Sequence, residues 1–232
     1  VAVFVPIFLA YGFATDIWVM YKVILFAAIA VAAVACSKND SSTPATPATV
    51  KGLMPLTVGN QWTYKKNMLD SLTGAVKSTT TDNINILSAI TINDTTYFQQ
   101  SQTSITIGGN SFFSNTDSNT VMKIDSNTRY TFFKRVTTDN SLIGVWADTV
   151  KSRCTGKNYL YGFTGDTTIN GYTGCLKNVV LVNDCTGLTF EKWVYYLKPS
   201  TGLVRIEHYL LAKDNTTLYL DFTEDLTAFQ QG

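Results

Sequence analysis

His208 is the only histidine in this chain of 232 residues. Any Ser–His–Asp chemistry would therefore have to run through it. Glu191 and Glu207 stand near it, and a pair of carboxylates at a set separation is what glycoside hydrolysis needs. The sequence around these residues reads as structural. His208 falls in mid-strand, on an apolar face beside Trp193, where a packed histidine with one hydrogen bond is the expectation. No GxSxG, P-loop or GxGxxG stands in a strand-to-helix context. Neither an enzyme nor a cofactor site is expected. Three cysteines, Cys154, Cys175 and Cys185, lack CxxC spacing and have one histidine to join them, so no metal centre is expected. "DSNT" occurs at 117–120 and again at 125–128. It reads as two similar Asx-type turns rather than a calcium loop, which needs several spaced carboxylates and a glutamate.

The elements that carry these residues are strands. After Cys36 there are three glutamates, Glu191, Glu207 and Glu224, among abundant Thr, Asn, Tyr, Phe, Val and Ile. Turn signals recur at 70–74, 92–94, 108–110, 125–127, 165–171, 198–202 and 213–215. Short β-rich runs between regular turns predict an all-β domain over 51–232, a curved antiparallel sheet in the form of a sandwich or an open barrel. The tail from Thr223, "TEDLTAFQQ", is assigned a short helix capped by Thr223. One hairpin can be registered from its pattern. If Lys198 opposes Leu203, then Leu197 faces Val204, Tyr195 faces Ile206 and Trp193 faces His208, which gathers the apolar residues on one face. A slip of one residue would mix the faces.

The chain begins with a different kind of segment. Val23–Ala35 is a run of thirteen apolar residues, too short to span a bilayer and of the length of a signal-peptide core. Met20 and Lys22 precede it and "AVAC" ends it. This resembles the lipobox of bacterial lipoproteins, and the resemblance implies a chain cut before Cys36, with lipid on that sulfur. On this reading 1–19 is an over-extended reading frame, 20–35 a signal helix, and 36–50 a lipidated cysteine with a disordered tether. Ser37 after the cysteine implies the outer membrane. An exported chain meets an oxidising compartment. If 150–163 and 174–184 form a hairpin around "GDTTING", Cys154 lies near residue 183 and Cys175 near Tyr161 or Gly162. Cys154–Cys185 is then the preferred disulfide.

Counted from Cys36, Lys plus Arg is 17 and Asp plus Glu is 16, since Lys22 and Asp16 fall before it. That near-zero balance argues against a nucleic-acid partner, and Lys65–Lys66 and Lys134–Arg135 read as solvated strand faces. Finally, "LMPLTVGNQWTYKKNMLDSLTG" carries Pro55, Leu56, Val58, Gly59, Asn60, Trp62 and Tyr64 in a pattern that resembles the opening of uncharacterised Gram-negative lipoproteins. "LIGVWADT", "INGYTGCLKNVV" and "KWVYYLKPSTGLVRIE" extend that resemblance over most of 53–210. It implies a role for Gly59 in turning the chain and a strand with Trp62 and Tyr64 on one face. It transfers no activity. The function expected is a lipid-anchored, noncatalytic binding or assembly module of the cell envelope, with glycan, protein or another envelope component as partner. Phe112, Phe113, Tyr161 and Tyr172 are its candidate contact aromatics. The alternative is a carrier of an apolar ligand inside the curved sheet, and a hydrolytic enzyme comes third.

Overall fold

The computed structural model describes residues 52–101, 111–125, 128–149 and 154–232. Cys36, the signal helix, the tether and the turn expected at 108–110 lie outside the described residues. All regular structure among the described residues is strand: β1 (Gln61–Leu69), β2 (Val76–Ile92), β3 (Thr95–Gln100), β4 (Ser111–Asp117), β5 (Thr120–Asp125), β6 (Thr128–Lys134), β7 (Ser141–Thr149), β8 (Thr155–Ile169), β9 (Tyr172–Asn183), β10 (Thr189–Lys198), β11 (Gly202–Leu211) and β12 (Leu218–Gln230). They form one antiparallel sheet in the order β6-β5-β4-β3-β2-β1-β12-β11-β10-β9-β8-β7. The first and last strands pair at the middle of the sheet. The sheet rolls until its edges, β6 and β7, approach each other, giving a nearly closed all-β barrel.

The seam between those edges is held by side chains. Tyr130 of β6 stacks on Trp146 of β7 with ring centroids 4.6 Å apart. Asp139 in the connecting loop accepts the backbone N–H of Thr164 at 2.6 Å. Gly162 leaves room for the same loop: a Cβ there would lie 2.8 Å from Val136 Cγ1. Phe132 of β6 meets Tyr195 of β10 edge to face across the interior, at 5.2 Å.

One end of the barrel is plugged by the segment before β1. Leu53, Met54 and Leu56 are buried, each contributing about 1.5–3 kcal/mol of apolar burial. Asn115 of β4 clamps the Met54 backbone, accepting from its N–H at 3.2 Å and donating to its carbonyl at 2.7 Å. Ser200, in the turn between β10 and β11, donates its N–H to the Leu53 carbonyl. The plug thus crosses the end where these turns gather. Gly59 turns the chain with φ +92°, against the backbone of Gly232. Trp62 and Tyr64 follow on one buried face of β1, as the sequence pattern implied.

The β10–β11 hairpin keeps the expected register over Trp193↔His208, Tyr195↔Ile206 and Tyr196↔Arg205. A bulge then makes Leu197 face Leu203 and Lys198 face Gly202. The loop is one residue tighter than anticipated because Ser200 and Gly202 both take positive φ.

Two expectations are corrected. The tail is a strand, not a helix: Leu218–Gln230 is β12, laddered to β1 on one side and β11 on the other. Two ladders outweigh the local helical preference of "TEDLTAFQQ", and Phe222, Glu224 and Leu226 alternate inward. The β8–β9 hairpin is also longer than anticipated. It runs through "GDTTI" and turns on Asn170–Gly171, both at positive φ, the two-residue turn that such a pair favours. Cys175 therefore faces Thr167 rather than Tyr161 or Gly162.

Candidate functional site

The end of the barrel opposite the plug carries a row of polar and aromatic side chains on the inner faces of β10, β11, β12 and β1. One bulge helps to build it. In β12 the register against β11 shifts where His208↔Phe222 gives way to Tyr209↔Leu220, which leaves Asp221 as the extra residue. A bulge re-directs the side chains around it, and this one brings Asp221 to one side of His208. Glu191 reaches the other side by ordinary alternation, since it shares the face of Trp193 in the ladder with β11. His208 Nε2 lies 2.8 Å from Glu191 Oε1, and Nδ1 lies 3.0 Å from Asp221 Oδ2. Glu191 Oε1 also accepts the Trp193 indole N–H at 2.8 Å.

The imidazole is held in the third direction by rings. Trp193 lies 4.1 Å from it and Phe222 lies 4.7 Å from it, centroid to centroid. Lys66 Nζ sits 3.8 Å over the Phe222 ring and 3.4 Å from Glu224 Oε1. The row reads Trp193, His208, Phe222, Lys66, Glu224. Side-chain exposure is 0% at Glu224, 13% at Lys66 and 9% at His208, and it is highest at the two flanking carboxylates, 18% at Glu191 and 21% at Asp221.

A neutral imidazole supplies one N–H donor, and carboxylate oxygens only accept. Satisfying both contacts of His208 takes one further proton shared by the three groups. His208 thus makes two hydrogen bonds where one was expected. Both ring nitrogens of His208 are engaged by carboxylates. Beside the row, Tyr195 is partly buried, and its desolvation, with Tyr130, Glu191 and Glu224 nearby, holds its phenol well above the usual range. Burial does the same to Tyr64, helped by the Glu224 charge, and the Tyr64 hydroxyl donates to the Leu203 carbonyl at 3.0 Å.

The structure brings some of the sequence-nominated residues together and separates others. Glu191 and His208 meet. Glu207 lies on the opposite face of the sheet, where it accepts from Arg205 Nε and from the Tyr209 hydroxyl at 2.9 Å each. The four aromatics nominated for contact do not form one cluster. Phe113 is core, 1% exposed, with its ring edge on Phe132, so it is not available at the surface. Phe112 and Tyr161 are half-buried on the outer faces of β4 and β8. Tyr172 packs against the core. Lys65–Lys66 is not a solvated pair: on a strand neighbours alternate faces, so Lys65 is exposed and Lys66 turns inward. The first "DSNT" is a turn, in which Asp117 accepts the Asn119 N–H at 2.6 Å. Among the described residues no group of three or more His, Cys, Asp or Glu is arranged to hold a metal ion.

No protein-family model matches the chain, and no curated protein matches it. Two solved structures are similar to it. One is from Bacteroides fragilis NCTC 9343, described as a candidate exported protein with a YmcC-like fold. It is 13% identical, with 77% of this chain and 98% of that chain covered, at a TM-score of 0.47. The other, a candidate lipoprotein from Parabacteroides distasonis ATCC 8503, is also 13% identical, with 78% and 99% covered, at a TM-score of 0.43.

Proposed function

We propose that this chain is a noncatalytic binding module of the bacterial cell envelope, tethered to the outer membrane by lipid on Cys36, with its ligand taken at the unplugged end of the barrel. The observation that carries the reading is the row from Trp193 to Glu224. With the groups that flank it, it places aromatic faces, three carboxylates and an ammonium on the inner wall, and the two carboxylates at His208 are the most exposed of them. Buried charge is costly unless paired, and here each charged group of the row has a partner of opposite sign or a hydrogen-bond donor. A ligand offering both a flat face and polar groups would meet matching chemistry there. The charged wall disfavours the alternative of a purely apolar ligand, because an acyl chain at that end would cover Glu191 and Asp221 without offering them hydrogen bonds.

The test is native mass spectrometry of the chain purified from an exporting host, set against its denatured mass. The expected result is a non-covalent small-molecule mass that is lost on denaturation and reduced in Trp193→Ala. A ligand retained undiminished by Trp193→Ala refutes the site, and a bare protein refutes the small-ligand reading. The same denatured spectrum reads the anchor: an N-terminal Cys36 carrying acyl mass is expected, and residues retained before it refute the anchor.

A further inference from the structure

Cys154 stands immediately before β8, and Cys185 lies in the turn between β9 and β10. The β8–β9 ladder pairs Lys157 with Asn183. Continued by two residues, it brings Thr155 opposite Cys185 and leaves Cys154 one step away. That step on an antiparallel pair separates Cα atoms by roughly 6 Å, inside the range a disulfide spans. In an unbroken ladder the two side chains would point to opposite faces. Here both residues stand outside the strands, so that restriction is lifted, and the Cys154 side chain is close enough to be the main influence on the Cys185 thiol. Cys185 is exposed, whereas Cys175 is buried and donates to the Tyr172 carbonyl.

We propose that Cys154 and Cys185 are a built dithiol that a disulfide-class oxidant closes into a covalent clamp between the start of β8 and the β9–β10 turn. The turn leads straight into the start of β10, where Glu191 meets His208, so the clamp fixes the rim of the binding site. The step balances. One cysteine thiolate attacks the oxidant's S–S bond and forms a mixed disulfide. The second cysteine displaces it, and the oxidant leaves as two thiols carrying the two protons and two electrons. Contact with Cys154 pushes the Cys185 thiol up. Its thiolate is therefore scarce near neutrality, and closure by a small oxidant accelerates as pH rises toward 9.

An exporting cell supplies the oxidant only if the envelope reading above holds, so the test has two arms. The full chain is isolated from an exporting host, or reduced and then treated with oxidised glutathione. In both arms free thiols are blocked with a maleimide in denaturant, so that the buried Cys175 is reached, and the protein is digested with trypsin without reduction. Cleavage after Arg153, Lys157, Lys177 and Lys192 yields peptides 154–157 and 178–192. The expected result is these two peptides joined in both arms, with Cys175 blocked. Joined peptides in the glutathione arm alone uphold the dithiol and count against export. Separately blocked peptides in both arms overturn the proposal, as does Cys185 joined to Cys175. In Cys154→Ser, Cys185 should instead carry glutathione.

Discussion

Replacing His208 by phenylalanine keeps a flat ring between Trp193 and Phe222 and removes both contacts to carboxylates. Each of those contacts is a charge-assisted hydrogen bond, worth about 1.5–3 kcal/mol net. Two of them bound the loss at about 3–6 kcal/mol. Glu191 and Asp221 keep a fifth of their side-chain surface in water, and water takes over part of what they lose, which brings the expected cost to roughly 2–3 kcal/mol. For a domain of this size that is a fall in Tm of roughly 5–10 °C. Urea unfolding of wild type, His208→Phe and the triple variant His208→Phe/Glu191→Gln/Asp221→Asn checks the origin of the loss. If it comes from carboxylates left facing a phenyl ring, neutralising them should recover part of it, although Glu191→Gln by itself also weakens the bond from Trp193. A His208→Phe protein that unfolds within about 0.5 kcal/mol of wild type refutes a stabilising role for the two His208–carboxylate contacts.

Gly162→Ala should open the seam, since its Cβ would sit 2.8 Å from Val136 Cγ1. A loss of roughly 1–3 kcal/mol is expected, and it should shrink in the Val136→Ala background; an undiminished loss there rules out the contact. Gly202→Ala combines φ +102° with a Cβ 2.8 Å from Trp62 Nε1, so a loss of roughly 2–4 kcal/mol in urea unfolding is expected, and wild-type stability would contradict the geometry. Acid should loosen the unplugged end. Asp70, Asp184 and Asp214 cap its turns, and hydrogen bonds from the Thr73 N–H, the Thr186 hydroxyl and the Thr216 N–H respectively hold their carboxyls below the usual range. Lowered values stabilise the fold above an unfolded pKa near ~3.9 and cease to do so as pH falls through the folded values. Tm should therefore fall below about pH 4, less steeply in Asp184→Asn/Asp214→Asn; an unchanged slope removes the caps from the account.

The strand class, most turns and the Trp193–His208 pairing could be read from the sequence because side-chain period and turn residues are local signals. The site could not be read whole. Asp221 joins His208 only once the tail is a strand, and the tail becomes one through ladders to β1 and β11, which are distant in sequence. Glu191 shares the face of Trp193 by simple alternation, but Asp221 is brought in by a bulge, whose single extra residue leaves no mark in the alternation pattern. Lys66 looked like half of an exposed pair until its partner face filled with Phe222 and Glu224. Phe112 and Phe113 are alike in type and adjacent, and only the direction of β4 decides which one is core.

The pairing of the first strand with the last has a temporal consequence. Gln61 meets Gln230, 169 residues later by subtraction of those numbers, and this contact sits at the centre of the sheet rather than at its edge. Contacts so remote in sequence form slowly, because a long loop must close before they are rewarded. The barrel cannot close until its C-terminal residues are available, so a chain emerging N-terminus first passes its whole length as two unjoined half-sheets with β1 and β11 exposing unpaired edges. Loss of everything from Leu218 onward would fix the molecule in that state, a sticky intermediate rather than a shorter barrel.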